Sequence, residues 1–234
     1  MKHQWVLPKA DDPDFVFALE DVLEVYTRPY DPQRPQVCVD EVSKQLVRDI
    51  SPPVPMQPGQ PAREDYEYER CGTANLFMIC EPLAGRRHVK VTDRRTSADF
   101  AQVLRDLSDR HYPQAKKIVL VMDNLNTHKL SVLYQVFSPS EARRILERFE
   151  VHHTPKHASW LNMAECELSV LSRQCLDQRI DSPSQLTDKV AAWEHHRNAQ
   201  HVRIDWRFTT ADARIKLQRL YPVLSPTNTF ETDH

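Results

Sequence analysis

The sequence predicts an α/β fold, a sheet with helices packed against it, on three observations. Short apolar strand patterns come first and then alternate with helix-length amphipathic patterns. The run Ile118-Val119-Leu120-Val121-Met122 is apolar at every position, as in a strand covered on both faces. The 234 residues, 40% of them hydrophobic, supply one sizeable core and a smaller appendage, but are tight for two full domains.

Residues 11–31 hold seven acids (Asp11, Asp12, Asp14, Glu20, Asp21, Glu24, Asp31) and one base, Arg28. Phe15, Leu19, Val22, Leu23 and Tyr26 recur there at helical spacing, with Asp12 or Asp14 to cap the start and Pro29 to end it. This predicts one amphipathic helix packed on its own core. Strands are predicted at residues 37–39, 76–80, 89–91, 117–122 and 150–153, and helices at 98–107, 141–149, 161–176, 186–197 and 210–220. Between the first two strands, SPPVPMQPGQP (51–61) has five prolines and reads as a loop or hairpin excursion. The acidic, aromatic EDYEYE (64–69) reads as a solvated strand or loop face. The expected division is a helical extension or linker over 1–32, a core over 33–180 and a helical segment over 181–234.

Composition narrows the function. With 31 Lys+Arg against 33 Asp+Glu, any polyanion must meet a local patch. The three glycines, Gly59, Gly72 and Gly85, are too scattered for a phosphate-cradling loop, so no nucleotide cofactor is expected. The five cysteines (Cys38, Cys71, Cys80, Cys166, Cys175) are odd in number and none are spaced CxxC, which suits a reduced, cytoplasmic compartment. The longest clean apolar run, Ile118 to Met122, is far short of a membrane span, and the first residues form no hydrophobic signal segment. No membrane partner is expected.

Two core strands end in aspartate, at Asp40 and Asp123. The carboxyl edge of a strand is where open α/β sheets place their chemistry, although such an Asp also starts turns. A third acid lies on the helix with Leu161, Ala164, Leu168, Leu171 and Cys175 on one stripe. At about 100° per residue, Glu165 and Glu167 lie at opposite edges of that stripe, so periodicity does not choose between them. If Asn162 is the N-cap, Glu165 also fits an ordinary capping box. Three converging carboxylates repel one another and raise their pKa values, a cost that hard cations such as Mg²⁺ or Mn²⁺ relieve. Two such ions suit in-line phosphoryl transfer.

At VCVDE, VLVMDNLNTH and HTPKHASWLNMAE the sequence resembles the DDE transposases of the mariner-like superfamily, with its nearest likeness in the bacterial insertion-sequence branch numbered six-thirty. The likeness runs from about Trp5 to Tyr221. It matches Asp40, followed by Glu41, to the first acid, Asp123-Asn124 with His128 to the DNxxxH motif, and Asn162 with Glu165 to the NxxE motif. It therefore selects Glu165 over Glu167. The resemblance implies an RNase H-like core, a mixed sheet flanked by helices, with N- and C-terminal helical extensions. It also implies that Asp40, Asp123 and Glu165 are catalytic and hold two Mg²⁺ (or Mn²⁺) ions. The implied activity is hydrolytic nicking at transposon ends, then transfer of 3′-hydroxyl ends into target DNA at TA sites. Implied partners are transposon-end and target DNA, and further copies of the chain during transposition, acting at the bacterial nucleoid. Family members carry an N-terminal helix-turn-helix that recognises the element's ends. This chain starts about where that region finishes, so a truncated frame or a second polypeptide supplying end recognition is expected.

DNA contact is expected from Asn124, His128 and Asn162 in these motifs, and from Lys156 and His157 just before the catalytic helix. Arg203 and Arg207, within a C-terminal basic cluster, and a second cluster at Arg86, Arg87, Lys90, Arg94 and Arg95 are further candidates for phosphate contact. The histidines lack zinc spacing, and Trp160, Trp193 and Trp206 are expected in packing. Two other readings use the same residues. One is a structure-specific nuclease resembling RNase H or a junction resolvase; the other is a non-enzymatic remnant that binds DNA and dampens transposition.

Overall fold

Five strands form one mixed sheet in the computed structural model, which describes residues 12–223 except 53, 62, 64 and 124–128. β1 (Gln36–Asp49), β2 (Tyr68–Glu81) and β3 (Arg86–Thr92) make an antiparallel meander. β4 (Ile118–Met122) then runs parallel to β1, and β5 (Phe149–His153) parallel to β4, in the order β3-β2-β1-β4-β5. The expected α/β architecture with a mixed sheet is thus the observed one.

Alternation of side chains along each strand divides the core in two. Cys38, Leu76, Met78, Cys80, Val119 and Val121 point to one face, against α1 (Pro13–Thr27), α5 (Met163–Leu171) and α6 (Pro183–Ala199). Val37, Val39, Phe77, Ile79, Ile118, Leu120 and Met122 point to the other, against α2 (Ser97–Asp106), α3 (Leu133–Val136) and α4 (Pro139–Leu146). β4 is central and covered on both faces, which is why none of its five positions is polar.

α1 starts where Asp12 accepts the Phe15 amide at 3.0 Å. It buries Phe15, Leu19, Val22, Leu23, Val25 and Tyr26 within the first cluster. It is part of the main core, not a strap laid outside it. Two elements differ from expectation. β1 and β2 each run to 14 residues, because their outer halves pair with each other while alternating half-exposed and exposed positions leave no apolar run to read. The proline-rich stretch is the tip of this long hairpin, held by isolated bridges at Val54–Arg63 and Gln57–Gln60. The C-terminal segment is not helical throughout. Between α6 and α7 (Thr210–Lys216) the chain is extended, with Ile204, Trp206 and Phe208 packed on the first cluster and Arg203, Asp205 and Arg207 exposed. A period of two there replaces the helical period. Among the described residues no helix is long and apolar enough to cross a membrane.

Candidate active site

Asp40 does not end its strand as expected but lies within β1, which runs on to Asp49 along β2; Asp123 follows the last residue of β4, the other neighbour of β1. The β1–β4 register pairs Gln36 with Val119, Val37 with Leu120 and Cys38 with Val121. Counted two residues past the paired stretch, that register matches Asp40 with Asp123. The Asp123 carbonyl faces His153 Nδ1 at 3.3 Å, and Thr154 donates its amide to the Met122 carbonyl at 2.9 Å, so β5 braces the end of β4.

Glu165 arrives on α5. The chain leaves β5, makes a single tight turn at Ser159–Leu161, and enters α5 at its N-cap Asn162. Asn162 is 1% exposed. Its side-chain oxygen accepts the Ala164 amide at 3.1 Å, and its side-chain amide donates to the Val39 carbonyl at 2.9 Å. The Tyr26 hydroxyl donates to the Leu161 carbonyl at 2.6 Å, so α1 holds the same lead-in from the other side. Glu165 thus sits in the first turn of a helix fastened to the strand residue immediately before Asp40.

The three acids meet electrostatically at Asp40. Burial raises its carboxyl pKa to about 6, opposed by the Glu41 amide that donates to Oδ1 at 2.8 Å and reinforced by the charges of Asp123, Glu41 and Glu165. Glu41 lies one residue on, so its side chain takes the opposite face of β1, where Arg95 stands 3.9 Å away. Among the described residues no three carboxylate, histidine or cysteine side chains are drawn together closely enough to enclose an ion. The donor chemistry nevertheless fits a hard divalent cation: all-oxygen ligands, one of them held protonated-prone by burial and like charge.

The ambiguity between the two glutamates of α5 has a structural answer. Glu167 is 2% exposed and faces inward to Arg87 and Arg197, with contacts of 2.7 and 3.0 Å. Burial alone pushes its carboxyl up, and the two guanidinium groups outweigh that and hold it below the usual range. Glu165 and Cys166 are exposed at the same turn. Arg87 is fully buried and leaves the proposed phosphate-binding patch. Its backbone amide and carbonyl are both bonded by the Asn198 side chain, at 2.8 and 2.7 Å. The sequence signal was the alternation of β3, which turns Arg86 out and Arg87 in, but a buried arginine has no marker of its own.

Of the residues expected to meet DNA, Lys156 and His157 are exposed just ahead of α5, and His157 has a left-handed backbone (φ 64°). Arg203 and Arg207 are exposed on the extended segment, Arg207 beside Asp205 at 2.9 Å. Asn162 is buried beneath this surface. Both ends of its amide are spent on backbone groups in the interior, so it positions the helix and does not reach a ligand. Asn124 and His128 lie outside the described residues.

The DDE superfamily endonucleases match residues 35–187. The chain belongs to that family. The match contains all three acids and ends within α6. No curated protein sequence matches the chain. Solved structures similar to it include the Mos1 mariner paired end complex with Mn, at 20% identity and a TM-score of 0.54, covering 86% of this chain and 62% of that one. The Mos1 strand transfer complex is 17% identical with a TM-score of 0.55 and the same coverages. The mariner Mos1 paired end complex with Mg is 18% identical with a TM-score of 0.58, covering 94% and 67%. The likeness shows the fold, an RNase H-like mixed sheet flanked by helices. The chain spans about three fifths of the length of the Mos1 chain in the first of these complexes.

Proposed function

We propose that this chain is the catalytic part of a DNA transposase of the bacterial insertion-sequence branch numbered six-thirty, cutting strands at transposon ends and joining 3′-hydroxyl ends to target DNA at TA sites. Asp40, Asp123 and Glu165 are its catalytic carboxylates. The observation that carries the reading is the match of the DDE superfamily endonucleases over residues 35–187, a stretch that holds Asp40 on β1, Asp123 after β4 and Glu165 in the first turn of α5; the burial-raised carboxyl of Asp40, to which Asp123 and Glu165 add, agrees with it. Carboxylates left in mutual repulsion are poised for cationic ligands.

These three side chains would hold two Mg²⁺ or Mn²⁺ ions. When bound, such ions activate the attacking oxygen and stabilise the leaving oxygen of an in-line displacement. The protein's own contribution is placement. The β1–β4 register matches the two aspartates, and Asn162 and Tyr26 fix the helix that carries Glu165. The exposed Lys156 and His157 are placed to hold a DNA phosphate near the end of β4. The Mos1 structures are paired-end and strand-transfer complexes, which supports DNA ends as the substrate, with further copies of the chain acting together at the bacterial nucleoid as part of the same proposal.

The test uses supercoiled plasmid with Mg²⁺ or Mn²⁺. Metal-dependent nicking is expected from the native chain and is lost in Asp40→Asn, Asp123→Asn and Glu165→Gln, each still folded by circular dichroism. A native chain that never nicks would favour the regulatory remnant. Nicking without joining of 3′-hydroxyl ends would favour a structure-specific nuclease.

A further inference from the structure

Trp160 is 43% exposed in a turn whose neighbours Ala158 and Leu161 are fully buried. It is held there from beneath. Trp206 stacks nearly parallel to it at 6.3 Å (16° between planes), and Phe208 meets it edge-on at 6.0 Å. Trp206 in turn rests on Tyr26 at 5.1 Å and donates its indole N–H to the Phe208 carbonyl at 2.8 Å. The aromatic stack thus climbs from the core to solvent and ends in a rigid indole with one side uncovered. It stands two residues before Asn162 and five before Glu165, on the segment that positions that acid.

The charges around it are those of a polyanion site. Lys156 and His157 are exposed four and three residues upstream, and Lys216 Nζ lies 5.4 Å from the Phe208 ring. On the segment beneath it Asp205 lies beside Arg207 at 2.9 Å and Asp212 beside Lys216 at 4.0 Å, while Glu165 is exposed five residues on. A flat, preorganised π-face with exposed lysines on its own lead-in (Lys156) and against its supporting ring (Lys216) matches a nucleobase on a phosphodiester strand. An apolar protein surface would gain nothing from the cations.

We infer that Trp160 is a stacking platform for an unpaired base of the DNA strand close to the cleaved phosphate. This rests on the reading of the site as a DNA-cutting one. Its function is to hold the strand end in register with Glu165 by the face of a base, without reading base identity by hydrogen bonds.

The test measures binding of the full chain in EDTA, so that no cleavage takes part. The probes are a short oligothymidylate and an abasic phosphodiester of the same length. The native chain is expected to bind the oligothymidylate more tightly, and Trp160→Ala to lose roughly five- to hundredfold on it with little change on the abasic strand. Trp160→Phe should restore most of the loss. A 2-aminopurine placed in the strand should be quenched by the native chain and not by Trp160→Ala. Equal affinity of the native chain for the two probes overturns the inference and needs no variant. So does equal loss on both probes, or a change in oligomeric state alone, which would make Trp160 a protein contact. Failure of plasmid nicking with base-dependent binding intact would count against the catalytic reading only.

Discussion

Asn162 donates its side-chain amide to the Val39 carbonyl at 2.9 Å, and so ties the first turn of α5 to the strand position before Asp40. One buried residue caps the helix that carries Glu165 and ties it to the strand that carries Asp40, 125 positions away in sequence. An N-cap is readable from sequence, but its second bond depends on which strand the helix lands against.

Asn162→Ala removes the cap and leaves the buried Val39 carbonyl without its side-chain donor. The expected loss of stability is about 1–3 kcal/mol, measured by urea unfolding. Metal-dependent nicking, measured well below the melting temperature, should fall further than the unfolded fraction explains, because Glu165 loses its anchor. A variant with reduced stability but native nicking would show that the α5 start is held by other contacts.

Asp40→Asn should stabilise the fold at neutral pH while abolishing cleavage. The carboxyl titrates at about 6 in the folded chain, above its ordinary 3.8, so folding favours its protonated form. That contribution is complete below pH about 3.8 and is lost as pH rises through about 6. The variant's melting temperature should therefore exceed the native one at pH 7 and converge with it near pH 4. Adding Mg²⁺ or Mn²⁺ should raise the native melting temperature at pH 7 and leave the variant's nearly unchanged.

Glu167→Ala should be among the most destabilising changes in the chain. It strips the partner from Arg87, which is fully buried, and from the largely buried Arg197. Removing one member of a buried ion pair costs about 3–5 kcal/mol, since the remaining charge stays desolvated. Glu167→Gln keeps an acceptor for one guanidinium and should lose less. Unfolding of both variants by urea, at equal slope, gives the comparison.

Much of the fold was legible in the sequence because its signals are local. The all-apolar run of β4 and the Asp12-capped α1 needed no tertiary information. Asp123 does follow the last residue of β4 as expected, but Asp40 does not end its strand: β1 runs on past it to Asp49, because its outer half pairs with β2. What escaped were features that only packing creates. Glu165 and Glu167 are indistinguishable by helical angle, and the difference between them is made by Arg87 and Arg197 arriving from β3 and α6. Trp160 reads as a packing residue because a tryptophan usually is one. Its exposure follows from Trp206 and Phe208 filling the space below it from a segment more than forty residues away. The outer halves of β1 and β2 gave no signal because they are held mainly by each other, with one face only partly covered and Leu46 alone on β1 fully buried there.

His111 should make the fold acid-sensitive at a second place, between the end of α2 and the edge strand β3. Its ring stacks on His88 at 4.0 Å. Burial pushes its pKa down to about 4, with the His88 charge adding to the effect; Asp106 and Glu194 oppose it, and Arg110 reinforces it. In the unfolded chain the imidazole takes up its proton near pH 6.5, whereas the folded chain resists protonation until about 4. The stability that His111 supports is therefore present above pH 6.5 and drains away as pH falls from 6.5 towards 4. This is opposite in sign to the Asp40 contribution. His111→Gln removes the protonatable ring, so the melting temperature of this variant should fall less steeply than the native one across that interval, with the two differing most in slope below pH 6. Identical slopes would mean that the stacked pair opens to take a proton at little cost, and that the edge of the sheet at β3 is looser than its packing against α6 implies.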